Sequence, residues 1–127
     1  MTLSDKVKGM CVLLVDDSEE IRNLVNDMLF FYGFNVLVAE GPEEAQRISE
    51  GKKFDLLFTD VEMPVMNGVE LFNLISPERP EMEVLYMSGN IDGVAKNYQE
   101  AILSSNFIEK PFECDDLDKK LHEMFLH

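Results

Sequence analysis

Basic residues are scarce in this chain. Lys and Arg number 11 against 25 Asp and Glu, a formal net charge of −14 over 127 residues. A field of that sign repels phosphate backbones and anionic lipid, so neither nucleic acid nor membrane is expected as a direct partner. Cysteine is scarce too. Cys11 and Cys114 have no metal-ligand spacing, and nothing marks secretion, so both are expected as buried or neutral thiols in a reducing compartment. Long apolar runs are missing: none approaches the roughly 18 residues of a membrane span, and the N-terminus lacks a signal-peptide core. A cytoplasmic protein is the expectation. There is no internal repeat and no low-complexity segment. What is present suits one globular domain with a real core, at 46% hydrophobic and 28% charged residues.

The most informative stretch runs from Phe54 to Pro64. Phe54 to Thr59 is short, largely apolar and preceded by the turn signal Gly51-Lys52-Lys53, which reads as a buried strand. Asp60 stands where that strand runs out. Pro64 and the Asn67-Gly68 pair then force a loop. In open α/β sheets, ligands bind at the carboxyl ends of the strands. Aspartate is also a common cap and turn residue. The rest of the chain decides between these readings.

Residues 1–10 read as a polar lead-in to a domain covering 11–127. Cys11 to Val15 is a continuous apolar run, as in a strand buried on both faces, and it ends on Asp16-Asp17. Ser18, Glu19 and Glu20 suit a helix start; Ile21, Leu24, Val25, Met28 and Leu29 follow at helical spacing until Gly33. Phe34 to Ala39 is a second strand. Pro42 opens a second helix carrying Ala45 and Ile48. After the Phe54 strand, Val69, Leu71, Phe72, Leu74 and Ile75 make a helix ended by Pro77. Val84 to Met87 is a fourth strand ending on Ser88-Gly89. Val94, Tyr98, Ala101 and Ile102 mark a helix, and Phe107 to Glu109 a fifth strand ending on Lys110-Pro111. Leu117, Leu121, Met124 and Phe125 line the last helix. The Met and Phe residues read as core filling.

Five β-α units in a row predict an α/β fold, a parallel sheet with helices on both faces. The expected form is a flavodoxin-like (βα)5 three-layer sandwich with strand order 2-1-3-4-5. Asp16, Asp17, Asp60, Ser88 and Lys110 then all fall at one sheet edge. Two like charges 4 Å apart repel by about 4 kcal/mol at an effective dielectric of 20. Lys110 offsets only part of that. A hard divalent cation relieves the rest: Mg²⁺ takes carboxylate oxygens and leaves room for a phosphate oxygen.

The motifs Val15-Asp16-Asp17, Asp60-Val61-Glu62-Met63-Pro64-Val65-Met66-Asn67-Gly68, Ser88-Gly89 and Lys110-Pro111-Phe112 resemble those of the receiver domain of two-component response regulators. The likeness runs from about residue 11 to residue 126. It implies that Asp60 accepts a phosphoryl group from a phosphohistidine on a histidine kinase or histidine phosphotransfer protein. It implies that Asp17 and Asp60 ligate Mg²⁺ directly, that Asp16 helps through water, and that the Glu62 main-chain carbonyl contributes. Ser88 and Lys110 would contact the phosphoryl oxygens, and Phe107 would be the aromatic switch position. A downstream protein target is implied as well. Such a domain is not an enzyme in the ordinary sense, although it assists its own phosphorylation and dephosphorylation. The Tyr86-Met87-Ser88-Gly89 wording resembles receivers attached to hybrid histidine kinases.

The chemistry agrees with the residues. Phosphoryl transfer needs an in-line nucleophile and neutralisation of charge on the equatorial oxygens. A carboxylate can be that nucleophile. If Asp60 is ionised at pH 7, as an ordinary aspartate is, no general base is needed. Some positions depart from the usual pattern. Phe107 replaces the frequent tyrosine, Glu62 adds an acid beside the site, and Cys114 stands where a Ser or Thr helix cap is usual. His122 and His127 read as solvent-facing. No output domain is expected in the sequence after the last helix; a stand-alone receiver and a piece of a larger protein both stay open. Two other functions share parts of the pattern. A flavin-binding electron carrier has this fold, but Asp16 to Glu20 would repel a flavin phosphate. An aspartyl-phosphate phosphatase needs a second acid two residues after the nucleophile, where Glu62 stands; Pro64 and the missing cap insertion count against it.

Overall fold

The computed structural model describes residues 1–126; His127 and its expected solvent position lie outside the described residues. Five strands form one parallel sheet: β1 (Cys11–Val15), β2 (Asn35–Ala39), β3 (Leu56–Asp60), β4 (Glu83–Ser88) and β5 (Asn106–Glu109). Their order is β2-β1-β3-β4-β5, so β1 and β3 are neighbours, as expected from the alternating pattern. The helices are α1 (Leu3–Val7), α2 (Glu19–Tyr32), α3 (Pro42–Ser49), α4 (Gly68–Ile75), α5 (Lys96–Leu103) and α6 (Cys114–Phe125), with 3₁₀ turns at Ser76–Glu78 and Ile91–Gly93. No helix among the described residues is long and apolar enough to cross a membrane.

The apolar runs do what their lack of alternation implies. Val12, Leu13, Leu14 and Val15 are all fully buried, because both faces of β1 are covered. Val12, Leu14, Leu56, Phe58, Leu85 and Met87 pack with α1, α2 and α6. Leu13, Val15, Leu57, Val84 and Tyr86 pack with α3, α4 and α5. These are the two outer layers of the sandwich.

Several boundaries differ from the sequence reading. The lead-in is not merely polar. Thr2 and Asp5 form a reciprocal cap on α1, and Leu3 and Val7 are buried in the core. Five residues carry too short an apolar pattern to register as a helix. Pro77 does not end α4 directly; the helix stops at Ile75 and Pro77 sits in the 3₁₀ turn that follows. Val94 precedes α5 rather than belonging to it. The cap of α6 is Glu113, whose N–H donates to Asp116 Oδ2 at 2.8 Å, and Cys114 is the first helical residue. Both thiols are free, Cys11 half-buried and Cys114 exposed, so Cys114 is not buried as a core thiol.

Candidate functional site

The ends of β1, β3, β4 and β5 each deliver one part of the site. At the end of β1, Ser18 caps α2 by accepting the Ile21 N–H at 3.3 Å. The same tight turn lets the Ser18 N–H donate to Asp16 Oδ1 at 2.8 Å. Arg22, one turn into α2, reaches back to donate to the Asp16 carbonyl at 2.9 Å. Asp16 is fully buried by this arrangement, whereas Asp17 is exposed.

At the end of β3, Asp60 is 4% exposed. The chain turns immediately, and the Gly68 N–H donates to the Val61 carbonyl at 3.1 Å. A Cβ on Gly68 would lie 2.5 Å from the Asp60 carbonyl oxygen, so the close approach of this loop to β3 requires glycine. Asn67 and Glu70 then cap α4 reciprocally, at 2.9 and 3.0 Å. Val65, at the loop tip, is fully exposed with φ of 72°, an uncommon conformation for a β-branched residue.

The carboxylates converge. One oxygen each from Asp16, Asp17 and Asp60 lies within 4.8 Å of the others. From the end of β5, the Lys110 Nζ stands 2.7 Å from Asp16 Oδ2 and 3.4 Å from Asp60 Oδ2. Lys110 is held there by its own N–H, which donates to the Ser88 carbonyl at 2.8 Å. Oxygen-only donors in this arrangement suit a hard cation such as Mg²⁺. A groove of about 670 Å³, lined in part by Asp17, Pro64 and Met66, borders the cluster on its Asp17 side.

The electrostatics modify one expectation. Burial pushes the Asp60 carboxyl up to about 7; the Lys110 ammonium opposes that rise, and the Asp16 and Glu62 carboxyls add to it. In the protein alone, Asp60 is therefore not the fully ionised aspartate of a surface loop at pH 7. Burial pulls Lys110 down, but its bonds to Asp16 and its attraction to Asp60 outweigh this and hold it above the ordinary lysine range.

Ser88, at the end of β4, is fully buried. Its hydroxyl donates to the Glu62 carboxylate. The Asn90 N–H donates to Glu62 Oε1 and to Ser88 Oγ, both at 3.2 Å. Glu62 also returns toward Asp60, its own N–H donating to Asp60 Oδ1 at 3.3 Å. Phe107 pairs in register with Tyr86, is half-buried and packs on the α4 and α5 side of the sheet. His122, on α6, is half-exposed, with Nδ1 2.8 Å from the Asp118 carbonyl and 3.6 Å from its carboxylate.

The structure thus brings together Asp16, Asp17, Asp60, Ser88, Lys110 and the Glu62 side chain. Phe107 flanks them through the β4–β5 pairing. Arg22 and Asn90 escaped the sequence reading. Arg22 left a faint signal, since a residue one turn beyond a helix cap can reach back over the strand end. Asn90 left none, because it acts through its main-chain N–H.

Comparison with known proteins points the same way. The sequence matches the response regulator receiver domain profile over residues 12–122. It is 31% identical over 105 residues to the response regulator protein FleR of Pseudomonas aeruginosa, covering 81% of this chain and 22% of FleR. The chain spans 22% to 30% of the length of three such curated relatives. Among solved structures it resembles the chemotaxis response regulator CheY4 of Vibrio cholerae, with 28% identity, a TM-score of 0.79, and coverage of 93% of this chain and 100% of that one. The receiver domain of the hybrid histidine kinase CckA gives 28% identity, a TM-score of 0.72, and coverage of 89% and 96%. With a profile match over nearly the whole chain and a sheet of the same order, this chain belongs to the response regulator receiver domain family.

Proposed function

We propose that this domain is a phosphoacceptor. It takes a phosphoryl group onto Asp60 from a phosphohistidine on a histidine kinase or phosphotransfer protein, and it alters the surface formed by α5, β5 and α6 in response. The observation that carries this reading is the convergence of three carboxylates, two of them paired with Lys110, with a buried serine at the adjacent strand end.

An Asp60 carboxylate oxygen attacks the phosphorus in line. The new O–P bond forms as the P–N bond to the donor imidazole breaks, and the bonding electrons stay on the imidazole nitrogen. Lys110 neutralises charge on the transferring group, and the Ser88 hydroxyl donates to one of its oxygens. Asp17 and Asp60 would hold Mg²⁺, with Asp16 and the Glu62 main-chain carbonyl assisting. When bound, the ion neutralises the phosphoryl oxygens and favours the ionised form of Asp60. A phosphatase would need Glu62 free to act on water, and that carboxylate is engaged with Ser88 and Asn90.

The test is incubation with acetyl phosphate, with and without Mg²⁺, read by intact mass. The expected result is one hydroxylamine-sensitive phosphoryl group in the wild type with Mg²⁺ and none on Asp60→Asn. Lys110→Ala is expected to weaken transfer without moving the modification elsewhere. An undiminished, acid-stable phosphate on Asp60→Asn would contradict the reading.

A further inference from the structure

Glu62 does more than add charge beside Asp60. Its carboxylate takes the Ser88 hydroxyl and the Asn90 main-chain N–H, two donors at the end of β4. The β3–β4 register aligns Asp60 with Met87, so these donors begin one residue beyond the partner of Asp60. They are therefore the donors that an oxyanion on Asp60 would meet. Glu62 is tethered two residues from Asp60 and is further tied by its N–H to Asp60 Oδ1. A carboxylate and a phosphoryl group both present anionic oxygens that accept short, charge-assisted hydrogen bonds. Two such anions cannot share one hydroxyl proton.

We propose that Glu62 is a positioning residue that acts as an internal competitor of the phosphoryl group. In the unphosphorylated domain it holds Ser88 and Asn90 on its own carboxylate, and phosphorylation has to displace it. The proposal rests on the reading of Asp60 as the acceptor. Its consequence is a threshold. Ser88 is already drawn to an anion before any phosphoryl arrives, so the incoming group gains only the difference between two similar contacts. The exposed side of Glu62 gives the displaced carboxylate a route into water.

The experiment measures beryllofluoride binding with Mg²⁺, as an acyl-phosphate mimic, on wild type, Glu62→Ala, Glu62→Gln, Ser88→Ala and the Glu62→Ala/Ser88→Ala pair. These substitutions keep the Glu62 main-chain carbonyl in place. A hydrogen bond to a charged group is worth about 1.5–3 kcal/mol, so Glu62→Ala should tighten binding by roughly tenfold or more. Glu62→Gln, which still accepts from Ser88 but without the charge, should fall between Glu62→Ala and wild type. In the Ser88→Ala background most of the gain should vanish. Amide exchange of the free protein gives a second readout independent of the mimic: the Asn90 N–H should exchange several-fold faster in Glu62→Ala.

Equal tightening by Glu62→Ala and Glu62→Gln, undiminished without Ser88, would mean simple charge repulsion and overturn the competitor. So would unchanged binding in Glu62→Ala, or an Asn90 exchange rate indifferent to the substitution. Absence of beryllofluoride binding in every protein, wild type included, would instead overturn the acceptor reading and leave Glu62 nothing to compete with.

Discussion

The two faces of the sheet are built differently. On one, Leu14, Phe58, Leu85 and Met87 meet the long helices α2 and α6, and the Phe34 and Phe125 rings pack in a tilted, edge-type contact with centroids 6.0 Å apart. On the other, Leu57, Val84 and Tyr86 meet α3, α4 and α5, each only eight residues long. The rim of that second face is formed by half-buried side chains: Met63, Met66, Phe72, Val94, Tyr98 and Phe107. Its helix α5 has Ala95 at the N-cap position and so no side-chain cap. Asn67 and Glu70 cap α4, but α3 also lacks a side-chain cap, and short helices without caps over partly buried contacts occupy the low-stability end of a structure. The first face is thus expected to be the firmer side of the site, and the second the side that moves at smaller cost. Ser88 ends the strand on which both depend.

Substitutions sharpen this contrast. Phe58→Ala removes a fully buried ring from the firm face and should cost about 3–5 kcal/mol, read as a shift of the denaturant midpoint. Asp60→Asn should do the opposite at the site. The carboxyl is raised from 3.8 in an unfolded chain to about 7 in the folded one. Between those values the folded protein keeps a proton that the unfolded chain has released, so stability falls as pH rises through that window. Without Mg²⁺, the wild type should lose on the order of 2–4 kcal/mol between pH 4 and pH 8, and Asp60→Asn should flatten that slope. Mg²⁺ at pH 8 should restore the wild-type midpoint and leave Asp17→Ala unmoved. Phe107→Ala, on the loose face, should cost only about 1–2 kcal/mol because part of that ring is already in water.

The layout was legible in the sequence because apolar runs and their polar terminators are strong local signals. Cys11 to Val15 followed by two acids, and Phe54 to Thr59 followed by one, placed the strands and their functional ends. The convergence of Asp16, Asp17, Asp60 and Lys110 followed from strand order alone. What stayed hidden depends on packing or on main-chain groups. α1 is too short for a period, yet Leu3 and Val7 complete the firm face. The capture of Ser88 by Glu62 needs the relative height of two strand ends, which no spacing in the chain encodes. The raised pKa of Asp60 likewise comes from burial, and an aspartate letter carries no burial.

The central claim is that phosphorylation at Asp60 acts through Phe107 and the α5 side of the sheet and spares the core beneath α2. NMR amide spectra of the free and the beryllofluoride- and Mg²⁺-bound protein test it most directly. The account predicts large shifts in the active-site loops continuing through Phe107 and α5, with Leu14, Phe58 and the body of α2 nearly unmoved. Large changes confined to the loops around Asp17, Asp60 and Ser88, with none at Phe107 or along α5, would contradict it.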